Sequence, residues 1–161
     1  MAKDKSTRPL PTPAQLEWAD AELGVLIHYD IPVFSLGYEW REKFDKPLDS
    51  ALFNPSELNT DQWLETAASM GAKYAVLVAK HCTGFCIWPT RAHDYSVKSS
   101  PWRNGEGDIV ADFIKSCRKF NIRPGIYYSV SANGYLKVDN PGKVISGDPK
   151  EQEAYNKTVE L

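Results

Sequence analysis

A short apolar run that ends in polar side chains constrains the fold of this chain more than any other feature. The run covers residues 75–79, Ala-Val-Leu-Val-Ala, and follows Gly71, a residue type common at helix ends. Its length and its lack of alternation predict a parallel strand buried on both faces. Ligands of parallel α/β folds bind beyond the carboxyl ends of the strands. The residues directly after the run are therefore predicted to form the floor of a pocket: Lys80, His81, Cys82 and Thr83.

Two other segments have the same arrangement of apolar strand and polar end. Residues 25–27 lead to His28, and residues 125–128 lead to Ser129. Apolar periodicity predicts helices before these strands, over residues 13–22, 61–70 and 109–120. Strands that alternate with amphipathic helices indicate βαβ units and a parallel sheet. The chain is therefore assigned to the α/β class, and an open doubly wound sheet and a (β/α)8 barrel are the competing architectures.

Capping residues define the first and last helices. Thr12, Pro13 and Gln15 have the form of a capping box with proline in the first turn. Asp148 can cap a last helix that starts at residue 149 and reaches Leu161 without a Gly, Asn or Pro to end it. A helix with no following strand indicates a sequence cut inside a larger fold, because small barrels need about eight strands.

Composition argues against several classes of function. The 161 residues are 42% hydrophobic and 25% charged, which is typical of one globular domain with a real core. A formal net charge of -2, with scattered basic residues, gives no electrostatic reason to expect nucleic acid or an anionic membrane as partner. No segment approaches the roughly 18 apolar residues of a membrane span.

The three cysteines do not predict a cofactor. Cys82, Cys86 and Cys117 are an odd set without the pairing of a disulfide framework. His81 lies next to the first of them, but structural zinc sites need four ligands in tight pairs, and no second pair is visible. Cys117 falls on the apolar face of the third helix and is predicted to be core. Neither a metal nor another cofactor is therefore expected.

Five segments of the chain occur in an informative order. They are Leu26-Ile27-His28, Glu39-Trp40, the stretch from Ala72 to Thr90 that contains Lys80-His81-Cys82-Thr83-Gly84-Phe85, Asp94-Tyr95-Ser96-Val97, and Gly125-Ile126-Tyr127-Tyr128-Ser129. Together they resemble the amino-terminal half of the α-L-fucosidases of glycoside hydrolase family 29. The resemblance extends over about residues 14–160.

This resemblance implies a partial (β/α)8 TIM-like barrel made of the first three βα units of a truncated catalytic domain. Residues 1–11 would be a disordered leader, and residues 12–161 the amino-terminal portion of that glycosidase domain. The implied activity is that of an exo-acting, retaining hydrolase that releases terminal α-L-fucose from glycans. A fucosylated glycan or oligosaccharide is the expected partner. A secreted, periplasmic or lysosomal location is expected from the family, although no signal peptide is visible.

The resemblance also assigns the residues that hold the sugar. Carried over one position at a time, they are His28, Glu39, His81 and Tyr127, with Trp40 as the aromatic neighbour. Imidazole, carboxylate, phenol and indole groups suit a sugar that has three hydroxyls and one methyl group. Each residue also has a structural explanation, since the histidines and the tyrosine could be core and the glutamate a solvated loop residue.

Three positions depart from the family pattern. Cys82 stands in place of a second histidine, Thr83 in place of an acidic residue, and Asp30 in place of glycine. No catalytic residue is expected within the chain, because the family's nucleophile ends the fourth strand and its acid/base lies further on. Both are expected beyond Leu161, so the chain alone is expected to be inactive.

Two other functions stay open at this point. One is a non-catalytic carbohydrate-binding module with a degenerate fucosidase pocket, which Cys82 and Thr83 would explain. The other is an unrelated barrel hydrolase in which His28 and His81 bind a metal ion. The linkage and the oligomeric state are not predicted.

Overall fold

A parallel three-stranded sheet forms the centre of the protein. The computed structural model describes residues 9–39, 46–130, 132–139 and 147–160. The strands lie in the order β1-β2-β3 and comprise Gly24–His28, Tyr74–Lys80 and Arg123–Tyr128. All pairings between them are parallel. The predicted α/β class, with strands near residues 25, 75 and 125, is therefore confirmed.

Helices separate the strands along the chain. The α-helices are α1 Pro13–Asp20, α2 Thr60–Ser69, α3 Ile109–Lys119 and α4 Pro149–Glu160. Among the described residues, short 3-10 turns lie in the connections at Ile31–Phe34, Ser50–Leu52, Val97–Ser99 and Trp102–Gly105. A small antiparallel pair follows β3 and consists of β4 Ala132–Asn133 and β5 Val138–Asp139. Within the described residues, no helix has the length and apolar character needed to cross a membrane.

Helices α2 and α3 form one layer against the sheet. Each begins at a side-chain cap: Asn59 accepts a hydrogen bond from the backbone of Gln62 at 3.2 Å, and Asp108 accepts one from Ala111 at 2.8 Å. The two helices are joined by a buried hydrogen bond of 2.8 Å between the hydroxyls of Thr60 and Ser116. Their apolar faces include these fully buried residues: Leu64, Ile109, Phe113 and Cys117. The prediction that Cys117 is core is confirmed.

The two faces of the sheet differ in burial. On the helix side Ala75 and Leu77 are fully buried. On the other side Leu26 is 66% exposed, although its strand was predicted from an apolar run. The described residues place no layer over Leu26, which accounts for the difference. An apolar strand face of this kind is normally covered in a complete α/β domain.

Some predicted boundaries need correction. Helix α1 keeps its predicted capping box, in which Thr12 and Gln15 exchange hydrogen bonds, but it ends at Asp20 rather than residue 22. It buries none of its residues, so no tertiary contact extends it. The antiparallel pair of β4 and β5 was not predicted, because strands of two residues carry no periodic signal.

Gly105 tests how tightly the loop before α3 is packed, and Gly71, between α2 and β2, is the control, since both glycines have left-handed backbone angles. A Cβ at Gly105 (φ +79°) would lie 2.5 Å from the carbonyl oxygen of Lys98, whereas a Cβ at Gly71 (φ +85°) would meet nothing within 4 Å. We expect Gly71→Ala to lower the free energy of unfolding by about 1–2 kcal/mol through backbone strain alone. Gly105→Ala should cost clearly more, as measured by chemical denaturation. Equal losses would contradict the packing described for this loop.

Candidate functional site

The register of the sheet brings polar residues from three strands to one edge. His28 pairs with Val78 of β2, which in turn pairs with Tyr127 of β3. His81 follows β2 directly. Its ring centroid lies 4.5 Å from that of His28 and 6.0 Å from that of Tyr127. Three of the residues predicted for the site are therefore close together at the carboxyl ends of the strands.

A cavity of about 330 Å³ opens beside the two histidines. Its volume is at the small end of the range for small-molecule sites. Three residues of the predicted pocket floor line the cavity: His81, Cys82 and Thr83. The fourth, Lys80, is not among the lining residues. The lining consists of His28, Asp30, Pro32, Val33, Tyr38, His81, Cys82 and Thr83.

The remaining predicted residues are not part of this lining. Glu39 is described and exposed to solvent, but it is not among the residues that line the cavity. Trp40 lies outside the described residues. Tyr127 is 41% exposed and approaches the cavity only through its contact with His81. The structure thus brings His28, His81 and Tyr127 together and leaves Glu39 apart from the lining.

A buried carboxylate lies next to the histidines. Asp30 is only 6% exposed. Its Oδ1 accepts a hydrogen bond from the backbone N–H of Ile31 at 2.7 Å, and the hydroxyl of Thr83 donates to Oδ1 and Oδ2 at 3.0 and 2.9 Å. Burial raises the pKa of Asp30 to about 6, although these hydrogen bonds and the charge of Lys80 act in the opposite direction. From the sequence, Asp30 and Thr83 were two unconnected departures from a motif.

Thr83 is itself fixed in place. Its hydroxyl oxygen accepts a hydrogen bond from the backbone N–H of Phe85 at 3.2 Å. The hydroxyl proton is therefore free to point at Asp30, because the other side of the oxygen is occupied. Gly84, at φ +87°, provides the turn that brings the backbone of Phe85 to this position.

Lys80 joins the ends of two strands. Its side chain is 1% exposed, and its Nζ donates to the carbonyl oxygens of Ser129 at 2.5 Å and Ala132 at 2.8 Å. The ammonium also lies 4.7 Å from the ring centroid of Tyr128. Burial lowers the pKa of Lys80 to about 8, against the attraction of Asp30. The lysine thus holds the segment after β3 against the end of β2.

The histidine and the cysteine of the cavity floor are both kept uncharged near neutral pH. Burial lowers the pKa of His81, and the nearby charges of His28 and Lys80 lower it further. Burial also raises the pKa of Cys82. The Cys82 sulfur lies 3.9 Å from Nε2 of His81, at the limit of a weak hydrogen bond. A neutral imidazole offers one N–H donor and one acceptor.

Three of the lining residues are close enough to act on one small group. Each of His28, Asp30 and His81 has one potential ligand atom, and these atoms all lie within 4.8 Å of one another. Two imidazoles and a carboxylate are a donor set that suits a transition metal. They also suit a hydroxyl group, which both donates and accepts hydrogen bonds.

A larger cleft lies at the opposite edge of the sheet. It has a volume of about 670 Å³ and is lined by residues from the amino ends of β2 and β3, including Lys73 and Arg123. Arg123 there forms an ion pair of 2.9 Å with Glu17. Because ligands of parallel sheets bind at the carboxyl ends of the strands, we assign the function to the smaller cavity.

Known proteins similar to this chain share one description. The family model that matches residues 3–160 is described as Alpha-L-fucosidase. Alpha-L-fucosidase 1 of Arabidopsis thaliana is 40% identical over 121 residues, which cover 75% of this chain and 23% of the plant protein. Human tissue alpha-L-fucosidase is 30% identical, and the match covers 77% of this chain and 30% of the human protein.

Solved structures agree in fold. A Bacteroides thetaiotaomicron structure, assigned as an alpha-L-fucosidase, superposes with a TM-score of 0.84 at 40% identity, over 94% of this chain and 36% of the other. A glycoside hydrolase 29 family member from an unknown rumen bacterium has a TM-score of 0.70 at 36% identity, over 77% of this chain and 22% of its own. The chain thus spans between 22% and 36% of the length of these four relatives.

The lysine contact predicts a large effect of a single substitution. Lys80→Met leaves two buried carbonyl oxygens without their donor, and we expect it to lower the free energy of unfolding by about 2–4 kcal/mol. Lys73→Met is a matched control, because Lys73 is exposed just before the same strand. Its effect should stay within about 0.5 kcal/mol. Denaturant titration of both variants measures the difference, and similar small losses would show that Lys80 does not hold the strand ends.

The buried carboxylate predicts a pH dependence of stability. Because its folded-state pKa is raised, to about 6, Asp30 makes its full contribution to stability below its unfolded pKa and loses it as the pH rises through about 6. Relative to the isosteric Asp30→Asn variant, the wild type should therefore become less stable between about pH 4 and 6, by up to about 3 kcal/mol. Unfolding at several pH values tests this. Parallel stability curves would mean that Asp30 titrates as it does in water.

Proposed function

Since the chain belongs to the α-L-fucosidase family, glycoside hydrolase family 29, we propose that it supplies part of the fucose pocket of an α-L-fucosidase. The proposed enzyme is exo-acting and retaining, and it releases terminal α-L-fucose from fucosylated glycans. The observation that carries this proposal is the convergence of His28, His81 and Tyr127 beside a cavity of about 330 Å³.

The chemistry of the cavity suits a deoxy sugar. Its polar side includes His28 and His81, which can form hydrogen bonds with ring hydroxyls. Its apolar side includes Pro32 and Val33, which can contact the methyl group that distinguishes fucose from a fully hydroxylated sugar. Glu39 and Trp40 are proposed, from the family resemblance, to add further sugar contacts.

The catalytic carboxylates are proposed to belong to parts of the enzyme outside this chain. A retaining glycosidase needs a nucleophile and an acid/base whose carboxyl groups lie about 5–5.5 Å apart. Among the described residues, the cavity lining contains one carboxyl group, that of Asp30, and its oxygens are held by Ile31 and Thr83. The share of the relatives that this chain spans, between 22% and 36%, leaves room for both carboxylates elsewhere.

The sheet is proposed to be the first three strands of a (β/α)8 barrel. The parallel order β1-β2-β3 and the helices between the strands are the pattern of successive βα units. The exposed face that carries Leu26 and Tyr127 would then face the barrel interior. The same face carries His28 at its upper end, which is where active sites of such barrels lie.

The proposal is tested by separating sugar binding from hydrolysis. We expect the 161-residue chain to leave an aryl α-L-fucoside intact, and the protein extended to the length of its relatives to hydrolyse it. In the extended protein, His81→Ala should lower kcat/KM by about 10-fold or more, because a hydrogen bond to the sugar is lost.

Two controls make the result decisive. His93→Ala removes the remaining histidine, which does not line the cavity, and should leave kcat/KM within about twofold once folding has been checked by circular dichroism. Hydrolysis by the 161-residue chain would disprove the assignment of the carboxylates to other parts of the enzyme. Binding of fucose without hydrolysis by the extended protein would favour a carbohydrate-binding module instead.

A further inference from the structure

The cavity contains a potential binding site for a single sugar hydroxyl that includes a residue absent from the family's motif. Resting on the proposed function, we infer that His28, His81 and Asp30 bind one hydroxyl group of the sugar together. In this hydroxyl socket the Asp30 carboxylate accepts the hydroxyl proton, and the two imidazoles donate to the hydroxyl oxygen. Thr83 is the positioning residue that holds the carboxylate.

The geometry fits one oxygen atom at the centre of the socket. The three side-chain atoms lie no more than 4.8 Å from one another. Two hydrogen bonds of about 2.8 Å that diverge from one oxygen at the tetrahedral angle end about 4.6 Å apart.

The hydrogen-bonding capacities also match. A hydroxyl group has one donor and two acceptor sites, so it can serve one carboxylate and two imidazole N–H groups at once. Asp30 keeps a free lone pair for it, because a carboxylate has about four acceptor sites and the partners present are Ile31 N–H and the Thr83 hydroxyl. His81 is held in its neutral form by burial and therefore keeps a single N–H to donate.

The exchange of residues at three motif positions supports this assignment. The family pattern has glycine at position 30 and an acidic residue at position 83, whereas this chain has Asp30 and Thr83. The structure joins these two side chains by hydrogen bonds of 2.9 and 3.0 Å across 53 positions of sequence. A carboxylate is thus supplied from the segment after β1 instead of the segment after β2. It compensates for Cys82, whose thiol is a weaker hydrogen-bonding group than the imidazole it replaces.

A cycle that pairs protein variants with altered ligands tests the hydroxyl socket. Dissociation constants are measured for methyl α-L-fucoside and three deoxy analogues that each lack one ring hydroxyl, on the protein extended to the length of its relatives. One analogue should bind the wild type about 10- to 100-fold more weakly than the parent, because a charge-assisted hydrogen bond is lost. The same analogue should show little or no such loss with Asp30→Asn, and a reduced loss with His81→Ala.

Thr83 variants separate positioning from folding. Thr83→Val keeps the shape but removes the hydroxyl, and should reduce the preference for the parent over that same analogue. Thr83→Ser keeps the hydroxyl and should restore the preference. These Thr83 variants also provide the test if Asp30→Asn fails to fold, as judged by thermal unfolding.

The possible failures are distinguishable. Suppose that the wild type binds the parent fucoside, but that each analogue loses the same factor in affinity with the wild type as with Asp30→Asn. The hydroxyl socket is then disproved and the proposed function stands. If the wild type binds no fucoside, the proposed function fails, and the hydroxyl socket fails with it. A preference that Thr83→Ser does not restore would overturn the positioning role of Thr83.

Discussion

Every contact in the candidate site depends on the parallel register of the three strands. Gly24, Tyr74 and Arg123 start in one row, so the strand ends also lie at one level, with His28, Val78 and Tyr127 in line. A slip of one residue would move every side chain of the slipped strand to the opposite face of the sheet. The helices on the other face pack against the sheet through a buried core.

Local sequence signals were sufficient to predict the scaffold. The apolar run at residues 75–79 and the apolar periodicity over residues 61–70 and 109–120 are local signals, and the structure confirms the strand and both helices. The resemblance added the grouping of His28 with His81. The contact between Asp30 and Thr83 could not be predicted, because 53 residues separate them and no periodicity links two loop residues.

The same contact changes how the departures from the family motif are interpreted. Considered singly, Asp30 in place of glycine and Thr83 in place of an acidic residue are two departures from the family motif. In the folded protein the two side chains are partners, and the cavity keeps a carboxylate with a hydroxyl to orient it. Cys82 differs from these two departures, because no other departure from the motif pairs with it as Asp30 pairs with Thr83. Its half-buried thiol lies where the family resemblance leads us to expect an imidazole.

The burial of Asp30 also bears on which ligands the proposed sugar pocket would accept. Among the described residues that line the cavity, Asp30 is the one that carries a formal negative charge at neutral pH, and it is largely shielded from water. Solvent screens a like charge poorly at such a depth. If the cavity binds a sugar as proposed, uronic acids and sialic acids would bring a carboxylate against this charge, which would favour neutral monosaccharides over acidic ones before any fit of individual hydroxyl groups.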